Sequence, residues 1–580
     1  MKNFCNPLKW ASMLSMAAFI TTSCSNQKEK NDIPSSTDRN ISIRSVRYVN
    51  DEDKGISINQ NQSTNGTDKV AASAKKTSID GMYATAEAPF SIESASEFDF
   101  TTDIQSNAIP SLNKAQVSRS GQLKAADVPL PNNKKFRLVF VPDGSNSPIY
   151  NAVLNAGQDP DLHVEANKKY FWYAFSVNDP EVVPNIDGSG NIASTDLANK
   201  DFMFASGEIT TQQDENYLDI TFLRQMAAID VTINTRGMFG GITDNSTFTL
   251  GTGTGSSFTN IVQTGTFNIF NATFANFEDT NPVKGSQMRI VDNRWGAAEK
   301  IARFYTANTS RTVEANNLRV RLNSLSITLD DNSTRTFSEN SIVPIAHSAK
   351  LSLSKGTLSK TNVRLIESGV TVDGLVWART NLIYNANKVY GGSYSAGFSD
   401  GYRFRPNNEY ARPDINTEYW NFGTATPKGT DFQTVDVCRR VYPEGTWRLP
   451  QEFNSPQEIT RLSNNTNRSK TRKTVSDGHR FSLIWPNSQA ANPAYPDNNL
   501  IISAYGYRNN SNGGSIQQIP SGSSSGSGYL LIRSNRYTDN NTSSVLFAQV
   551  DNGTFGNTSV PTRAHNEGVP IRCVRNKVNN

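Results

Sequence analysis

The sequence predicts a mainly β protein built from several domains. It has 580 residues, of which 36% are apolar and 19% charged, and at roughly 150 residues per domain it forms three or four domains. Apolar residues come in short runs separated by Asn, Ser, Thr, Gly and Asp, and long stretches with a helical period are almost absent. In residues 216–235 and 316–331 apolar and polar side chains alternate, which indicates antiparallel sheets with one buried face, packed as sandwiches.

Residues 1–23 have the form of an export signal. Lys2 and Lys9 lie near its start, residues 8–20 are mostly apolar, and small or hydroxyl residues lead into Cys24. The apolar run is shorter than a bilayer core of about 30 Å requires, which favours a cleaved signal over a membrane helix. The segment resembles a bacterial lipoprotein signal. This resemblance implies that Cys24 carries acyl chains such as palmitate and anchors the protein in the outer membrane.

A polar stretch, residues 24–80, follows the signal and is predicted to be a spacer between membrane and fold. One part of it differs. Residues 40–50 (NISIRSVRYVN) read as a strand that is punctuated by Arg44 and Arg47, with Arg39 just before it. The spacer therefore holds one candidate for a first strand.

The charge of the chain argues against a nucleic-acid partner. Lys and Arg number 57 and Asp and Glu 53, and the signal takes two lysines and no acid with it. The remaining chain is nearly neutral, whereas nucleic-acid binding needs a clustered basic surface. Basic runs such as NRSKTRK are expected to be solvated loops.

Residues 81–365 repeat one pattern, in which an apolar or aromatic strand is followed by a polar turn. Residues 134–144 (KKFRLVFVPDG) end in a Pro-Asp-Gly turn, and residues 168–179 (KKYFWYAFSVND) form an aromatic strand before a polar break. Together with residues 201–210 (DFMFASGEIT) and the segment LDITFLRQMAAIDVTIN, this succession resembles the fimbrillin family, the outer-membrane lipoprotein subunits of fimbriae in Bacteroidia.

The fimbrillin resemblance implies two tandem β-sandwiches, which we place at residues 81–205 and 206–365, and assembly into a filament by strand exchange with other fimbrial subunits. In that family an Arg- or Lys-specific protease can remove the first strand and open a groove for a neighbour. Arg39, Arg44 and Arg47 are the matching candidates for processing. The alternative is that they are ordinary exposed arginines on an uncleaved strand.

After residue 365 the composition changes. Residues 438–453 (CRRVYPEGTWRLPQEF) and 569–576 (VPIRCVRN) together resemble a Bacteroidetes paralogous domain with a C-type-lectin-like, α+β fold. We place this domain at residues 366–580. In place of the YWSS strand usual in that family the chain has residues 528–540 (GYLLIRSNRYTDN), so no function of that strand is carried over.

The residues after this motif predict a short helix. Ser455 has the position of an N-cap, Pro456 that of the first helical residue, and Glu458 that of a capping box. Ile459 and Leu462 are then expected to face the core.

The cysteines predict one disulfide. Cys5 leaves with the signal and Cys24 is lipidated, so Cys438 and Cys573 remain as a pair in an exported, oxidising compartment. In the resembled domain the Arg-Cys-Val-Arg ending supplies the second cysteine. Trp447, between two prolines, is expected to be a packed core residue rather than a ligand platform.

The sequence offers no supported catalytic, metal or cofactor site. The GSSSG segment around Ser524 matches the Gly-x-Ser-x-Gly motif but lies in a Ser/Gly-rich loop, without the strand and helix of a nucleophile elbow. The four histidines, His163, His347, His479 and His565, are far apart and none has a second ligand at zinc-site spacing. The acidic Pro-Asn and Trp-Asn-Asp triplets of calcium-dependent lectins are missing, so we predict no calcium.

These observations predict a lipid-anchored, non-enzymatic fimbrial subunit at the cell surface. An appended C-terminal domain suits a minor or tip subunit with an adhesive role toward a surface glycan or protein. The alternative is a stand-alone glycan-binding surface lipoprotein. Exposed Trp and Tyr side chains near one face of the last domain would distinguish it. An enzyme is disfavoured, because no nucleophile with its base and no pair of acids is supported.

Overall fold

A computed structural model describes residues 38–49, 92–94, 97–105, 127–385, 400–406, 416–428, 436–452, 457–475, 478–486, 499–503, 505–509, 514–517, 533–538, 542–551 and 554–576. Strands dominate this part of the chain, as the alternating patterns predicted, and the helices are short. No helix among the described residues is both long and apolar enough to span a membrane.

An eight-stranded sheet contains the first strand of the chain, which we call the N-terminal strand (Asp38–Val49). In order across the sheet the strands are Asp127–Pro129, Asp38–Val49, Asn216–Arg224, Met203–Thr210, Lys169–Ser176, Lys135–Pro142 and Tyr150–Asn155, and His163–Glu165 also pairs with the N-terminal strand. Inward side chains of these strands form one apolar core, which includes Phe136, Leu138 and Phe222. Period-two alternation in Asn216–Arg224 places every second side chain in this core.

Two facing sheets form what we call the second sandwich. The six-stranded sheet has the order Arg289–Ile290, Glu299–Thr306, Ala227–Gly237, Leu358–Glu367, Phe98–Gln105 and Glu93–Ser94. The five-stranded sheet contains Thr259–Asn260, Thr247–Thr252, Leu318–Ser324 and Ser341–Pro344, with Val283–Lys284 on Thr247–Thr252. Smaller sheets are Gly240–Ile242, Ser326–Leu329 and Thr334–Thr336, and Thr312–Val313 with Leu351–Ser352. Side chains from both large sheets share one buried core, which includes Val231, Ile233 and Val320.

A third, aromatic core lies between the eight-stranded sheet and a small sheet. The small sheet contains the strands Asn191–Ile192, Gln263–Asn268 and Thr273–Asp279. The helix Ser194–Leu197 follows the first of these strands, and 3-10 turns occupy Gly285–Gln287 and Gly296–Ala298. Phe267 is fully buried at its centre, with ring centroids 4.8 Å from Phe202 and 5.1 Å from Phe204.

The strands do not divide at the predicted domain boundary between residues 205 and 206. The strand Met203–Thr210 spans this boundary, and its residues Met203 and Phe204 pair with Arg224 and Leu223 in one sheet. Phe98–Gln105, which was placed with the first sandwich, pairs instead with Leu358–Glu367 of the second. Backbone hydrogen bonding between strands far apart in sequence therefore sets the organisation of the sheets, and local patterns do not report it.

The described residues from 369 to 576, which we call the C-terminal part, contain short sheets and one helix. The central sheet is Gly369–Val372, Leu375–Ala378, Val574–Arg575 and Trp447–Arg448. The other strands are Ser469–Val475, Gly478–Pro486 and Asn499–Ser503; Arg533–Thr538, Thr542–Val545 and Thr562–Ala564; Leu382–Tyr384 and Tyr402–Phe404; Tyr507–Arg508 and Ile516–Gln517; and Phe547–Asp551 and Thr554–Ser559. A 3-10 turn covers Val437–Arg440 and the helix covers Glu458–Asn464.

The helix begins later than the capping pattern predicted. Gln457 is its N-cap, and Ser455 and Pro456 lie outside the described residues. The Glu458 carboxylate binds the Arg448 guanidinium at 2.6 and 2.8 Å and accepts the backbone N–H of Gln451. Ile459 and Leu462 face the core as predicted, with 0% and 1% exposure.

The C-terminal part follows the second sandwich almost directly. Only Ser368 separates the strand Leu358–Glu367 from the strand Gly369–Val372. Arg575, near the end of the chain, returns to this junction, where it donates a hydrogen bond to the carbonyl of Glu367 at 2.8 Å and pairs with Asp99. The junction is thus held by strands and buried charges on both sides.

Further contacts fasten the same junction. Phe239 of the second sandwich packs in a core cluster with Trp447, and its ring centroid lies 5.4 Å from that of Phe404. The fully buried Arg403 donates to Asp330 of the second sandwich at 2.8 Å. A core cluster shared across the junction means that the C-terminal part and the second sandwich stabilise each other.

Candidate functional site

The N-terminal strand lies inside the eight-stranded sheet and has neighbours on both sides. On one side it runs parallel to Asn216–Arg224, from Ile41 opposite Asn216 to Tyr48 opposite Phe222. On the other side it pairs antiparallel with His163–Glu165 at its start and with Asp127–Pro129 at its end. Every contact with these neighbours joins residues far apart in the chain, so the strand occupies a groove formed by the rest of the protein.

The apolar side chains of the strand fill this groove. Ile41 and Val46 are 1% and 8% exposed, and Ile43 and Tyr48 are partly buried against the same core. Burying a side chain of this size contributes about 1.5–3 kcal/mol. Ile41 and Val46 together then contribute about 3–6 kcal/mol to holding the strand in place.

A β-bulge at Arg44 keeps these side chains on one face. The pairing runs in step up to Ile43 opposite Leu218 and resumes with Ser45 opposite Asp219, so Arg44 is the extra residue. If this sequence paired as a regular strand with no bulge, alternation would turn Val46 and Tyr48 to the face opposite that of Ile41 and Ile43. The signal for this bulge is in the sequence, since Ile43 and Val46 are three positions apart where a regular strand has two, but the strand prediction did not draw it.

Polar contacts hold the bulge at the sheet surface. The Asp219 carboxylate accepts hydrogen bonds from Arg44 Nε at 3.2 Å and from the Ser45 hydroxyl at 2.6 Å. The hydrogen bond from Arg44 is the largest cause that lowers the pKa of Asp219. The Arg44 and Asp219 side chains are 67% and 44% exposed, so solvent screens the pair strongly. On the other side the backbone N–H of Ile43 donates to Asp159 at 2.6 Å.

The three predicted processing residues, Arg39, Arg44 and Arg47, all lie in this strand and differ in the backbone partners around them. The backbone of Arg39 pairs with Val164, and Arg47 pairs with both Thr221 and Pro129. Arg44 is exposed at the bulge, away from both antiparallel neighbours. A cut after Arg39 would leave all four inward apolar residues attached, whereas a cut after Arg47 would free three of them.

The structure joins Cys438 and Cys573 by a disulfide, with Cα atoms 5.8 Å apart, and both are fully buried. This is the pair that the sequence indicated. The partly buried Asp436 organises the surrounding turn, because its carboxylate accepts the backbone N–H groups of Cys438 and Leu449 at 3.1 Å. Desolvation raises the pKa of Asp436, and the hydrogen bond from Leu449 and the charge of Arg439 oppose that shift.

The tryptophans of the C-terminal part are core residues. Trp377, Trp420, Trp447 and Trp485, the four tryptophans after residue 365, are each at most 1% exposed. Trp447 packs its ring at a centroid distance of 4.9 Å from Phe404, and Arg575 lies 3.9 Å over its centroid. None of the four is available as a stacking surface for a sugar.

The remaining sequence candidates have no common site. His347 is buried and bound to backbone groups of Leu318 and Ala349, while His565 stacks on Phe422 at 4.6 Å. His163 is exposed in a strand beside the N-terminal strand. Within the described ranges no group of three or more His, Cys, Asp or Glu side chains could hold a metal ion. Cys24, Ser524 and the His479 side chain lie outside what the structure describes.

The fold thus defines a mainly β protein whose own first strand fills a groove in its sheet. Residues 170–288 match the model of a family described as fimbrillin-like. The matched segment contains Asn216–Arg224, the strand on which the N-terminal strand lies. No curated protein matches the chain.

Solved structures are similar to parts of this chain at low identity. A candidate cell adhesion protein from Bacteroides fragilis is 13% identical over 46% of this chain and 94% of its own, with a TM-score of 0.28. A fimbrial assembly protein from Parabacteroides distasonis is 12% identical over 40% of this chain and 82% of its own, with a TM-score of 0.21.

Proposed function

We propose that this chain is a non-enzymatic structural and adhesive subunit of a cell-surface fimbria, which joins its neighbour by strand exchange. The observation that carries the proposal is the N-terminal strand, which is seated between Asn216–Arg224 on one side and two short antiparallel strands on the other. The fimbrillin-like match over residues 170–288, which includes the wall of this groove, supports it.

Release of the N-terminal strand would leave an unstable groove. The edge of Asn216–Arg224 would lose its backbone partners, and the core beneath Ile41 and Val46 would meet water. An extended strand from another subunit can supply both kinds of contact, through main-chain hydrogen bonds and alternate side chains. The resident strand then acts as a placeholder until the neighbour arrives.

Proteolytic removal of the strand belongs to the same proposal. A cut after Arg47 frees Ile41, Ile43 and Val46 together, whereas cuts after Arg39 or Arg44 leave more of the strand attached. The bond after Arg47 is paired on both sides in the folded state. Cleavage there requires this end of the strand to detach first, because a protease binds its substrate as a free extended segment.

The surface location and the C-terminal part complete the proposal. Cys24 would carry the lipid that anchors the chain in the outer membrane. The C-terminal part, as a lectin-like domain, would bind a glycan or protein at another surface, in a minor or tip subunit. The buried tryptophans disfavour the stand-alone glycan-binding reading that depended on exposed rings.

Locking the N-terminal strand tests the proposal in the producing bacterium. Tyr48 and Val128 are cross-strand partners, so Tyr48→Cys with Val128→Cys should tie the strand to its neighbour by a disulfide. The locked chain should fold and reach the surface but fail to enter fimbriae, as judged by mass spectrometry of purified fimbriae. The same spectra identify the N-terminus and its lipid.

A matched lock at the far edge of the same sheet is the control. Arg137 and Val153 are also cross-strand partners, and Arg137→Cys with Val153→Cys should leave assembly unchanged. Entry of the strand-locked chain into fimbriae at the control level would refute strand exchange at this groove. An N-terminus that starts at residue 1 in surface protein would refute the lipid anchor.

A further inference from the structure

The outer side of the five-stranded sheet carries two arginines that have no acidic partner. Arg319 and Arg321 lie two positions apart on the strand Leu318–Ser324, and the residues that alternate with them, Val320 and Leu322, lie in the core. Both guanidinium groups are therefore on the outer side. Among the residues that the structure describes, neither arginine forms an ion pair with an acid, and the Nε of each is buried without an acceptor.

An aromatic ring holds the Arg321 guanidinium in place. Its central carbon lies 3.9 Å from the centroid of the Phe258 ring. Glycine at position 251 allows this contact, because a Cβ atom there would lie 2.5 Å from the Phe258 ring. A guanidinium stacked on a ring keeps its plane fixed, and its outer N–H groups can donate two parallel hydrogen bonds to one carboxylate.

Arg319 adds a second positive charge beside it. The residue is 7% exposed, and its Nη1 donates to the carbonyls of Asn316 and Leu318 at 2.7 and 2.9 Å. Desolvation lowers the pKa of Arg319, and within the described chain the charge of Glu93 opposes this shift. Neutral carbonyl oxygens satisfy donors without cancelling the charge, so this side of the sheet attracts anions.

The neighbours of Arg321 suit a ligand with hydroxyl groups and an apolar face. Thr249 lies opposite Arg321, and its hydroxyl donates to Asn323 Oδ1 at 2.7 Å. The Thr249 oxygen can then accept a hydrogen bond and the Asn323 amide can donate one. On the other side of Arg321 its cross-strand partner is the half-buried Ile342, which offers apolar surface.

We propose that the outer side of the five-stranded sheet binds the carboxylate of an acidic saccharide, such as a uronic or sialic acid. Arg321 would donate to the carboxylate, Phe258 would position Arg321, and Arg319 would supply charge. A saccharide of this class combines a carboxylate with hydroxyl groups and apolar ring faces, which matches the side chains around Arg321. The site lies apart from the groove and from the C-terminal part, so it depends on neither part of the proposed function.

Isothermal titration calorimetry of the full chain at low salt tests the proposal. D-glucuronate and N-acetylneuraminate should each bind about ten-fold more tightly than glucose, acetate or N-acetylaspartate amide. Arg321→Ala should weaken the binding of the acidic sugars by about ten-fold or more. Arg321→Lys should weaken it by about three-fold or more, because an ammonium group cannot donate as a planar fork. Phe258→Leu should weaken it by about three-fold, since the guanidinium loses its ring.

Arg294→Ala is the matched control. Arg294 also lies near a ring, 5.8 Å from the Trp295 centroid, but it pairs with Asp292, and its replacement should change the affinity by less than about two-fold. Should Arg321→Ala lower the unfolding midpoint, Arg321→Lys decides the outcome.

Unchanged affinity in both Arg321 variants, or no binding of either acidic sugar, would overturn the site. Acetate or N-acetylaspartate amide binding as tightly as the sugars would overturn the saccharide assignment, and in the second case indicate an acidic protein partner.

Discussion

Replacement of Arg236 by Ala should loosen the C-terminal part from the second sandwich. Arg236 lies at the end of the strand Ala227–Gly237, and its Nε and Nη2 donate to the two oxygens of Asp400 at 2.7 Å each. Its guanidinium lies 3.6 Å from the ring centroid of Trp295 and 3.8 Å from that of Tyr442. One side chain thus binds an acid and an aromatic ring of the C-terminal part at the same time.

The size of the effect follows from burial. The Arg236 and Asp400 side chains are 13% and 6% exposed, so Arg236→Ala leaves a buried carboxylate without its two charged donors. Breaking such a pair costs about 3–5 kcal/mol, and the lost cation–π contacts add about 1–2 kcal/mol. Asp400→Ala alone should cost less than Arg236→Ala, because the guanidinium keeps its aromatic partners. The loss of stability in the double variant should be smaller than the sum of the two single losses by about 2 kcal/mol or more.

Guanidinium chloride unfolding of the four chains measures these energies, with the fluorescence of the buried tryptophans of the C-terminal part as the reporter. Arg236→Ala should also split the transition or expose the junction to limited proteolysis. Lys350→Ala is the matched control, since Lys350 pairs with Glu314 at 2.6 Å but both side chains are more than half exposed, and it should cost under about 1 kcal/mol. A cost of Arg236→Ala no larger than this control, or no coupling with Asp400→Ala, would refute a buried charge contact at the junction.

Three further predictions concern the cores and the disulfide. Joint replacement of Cys438 and Cys573 by Ala should destabilise the C-terminal part by up to about 5 kcal/mol, because the disulfide closes a loop of 135 residues. A shift in the unfolding midpoint equivalent to less than about 1 kcal/mol would contradict this prediction. Because burial raises the pKa of Asp436, the folded state holds that proton more tightly than the unfolded state, so the residue's contribution falls as pH rises from about 4 through the folded pKa. The stability of wild type relative to that of Asp436→Asn should then be higher at pH 4 than at pH 7, and the reverse order would refute the shift. Phe267→Ala should lower the stability measured by thermal unfolding by about 3–5 kcal/mol, because its ring is fully buried among other aromatic rings. An unchanged melting temperature would contradict this and show that neighbouring side chains repack into the space of the ring.

Local patterns in the sequence account for the strands and much of the core. Alternation over residues 216–235 predicts both the strand Asn216–Arg224 and the strand Ala227–Gly237. Trp447 was also correctly assigned to the core. These features depend on the two-residue alternation of a strand and on the burial of apolar side chains, and both are visible in a short stretch of sequence.

The pairing of distant strands could not be read from the same patterns. The whole of Phe98–Gln105 pairs with residues 360–367 of Leu358–Glu367, although more than two hundred residues separate the two strands in the sequence. A strand with one apolar face fits several partners equally well, and only the complete set of hydrogen bonds and packed faces selects one. Asp219 was missed for the same reason, since nothing near it in the sequence points to Arg44.

A single stretch of chain connects the groove to the C-terminal part. The groove wall, Asn216–Arg224, is followed after two residues by Ala227–Gly237, a central strand of the six-stranded sheet. Arg236, near the end of that second strand, binds Asp400. Tension on a strand seated in the groove would therefore pass along two hydrogen-bonded strands to the junction without crossing a flexible linker. Under the proposed strand exchange, the buried charge contact at that junction would resist this tension as well as stabilise the fold.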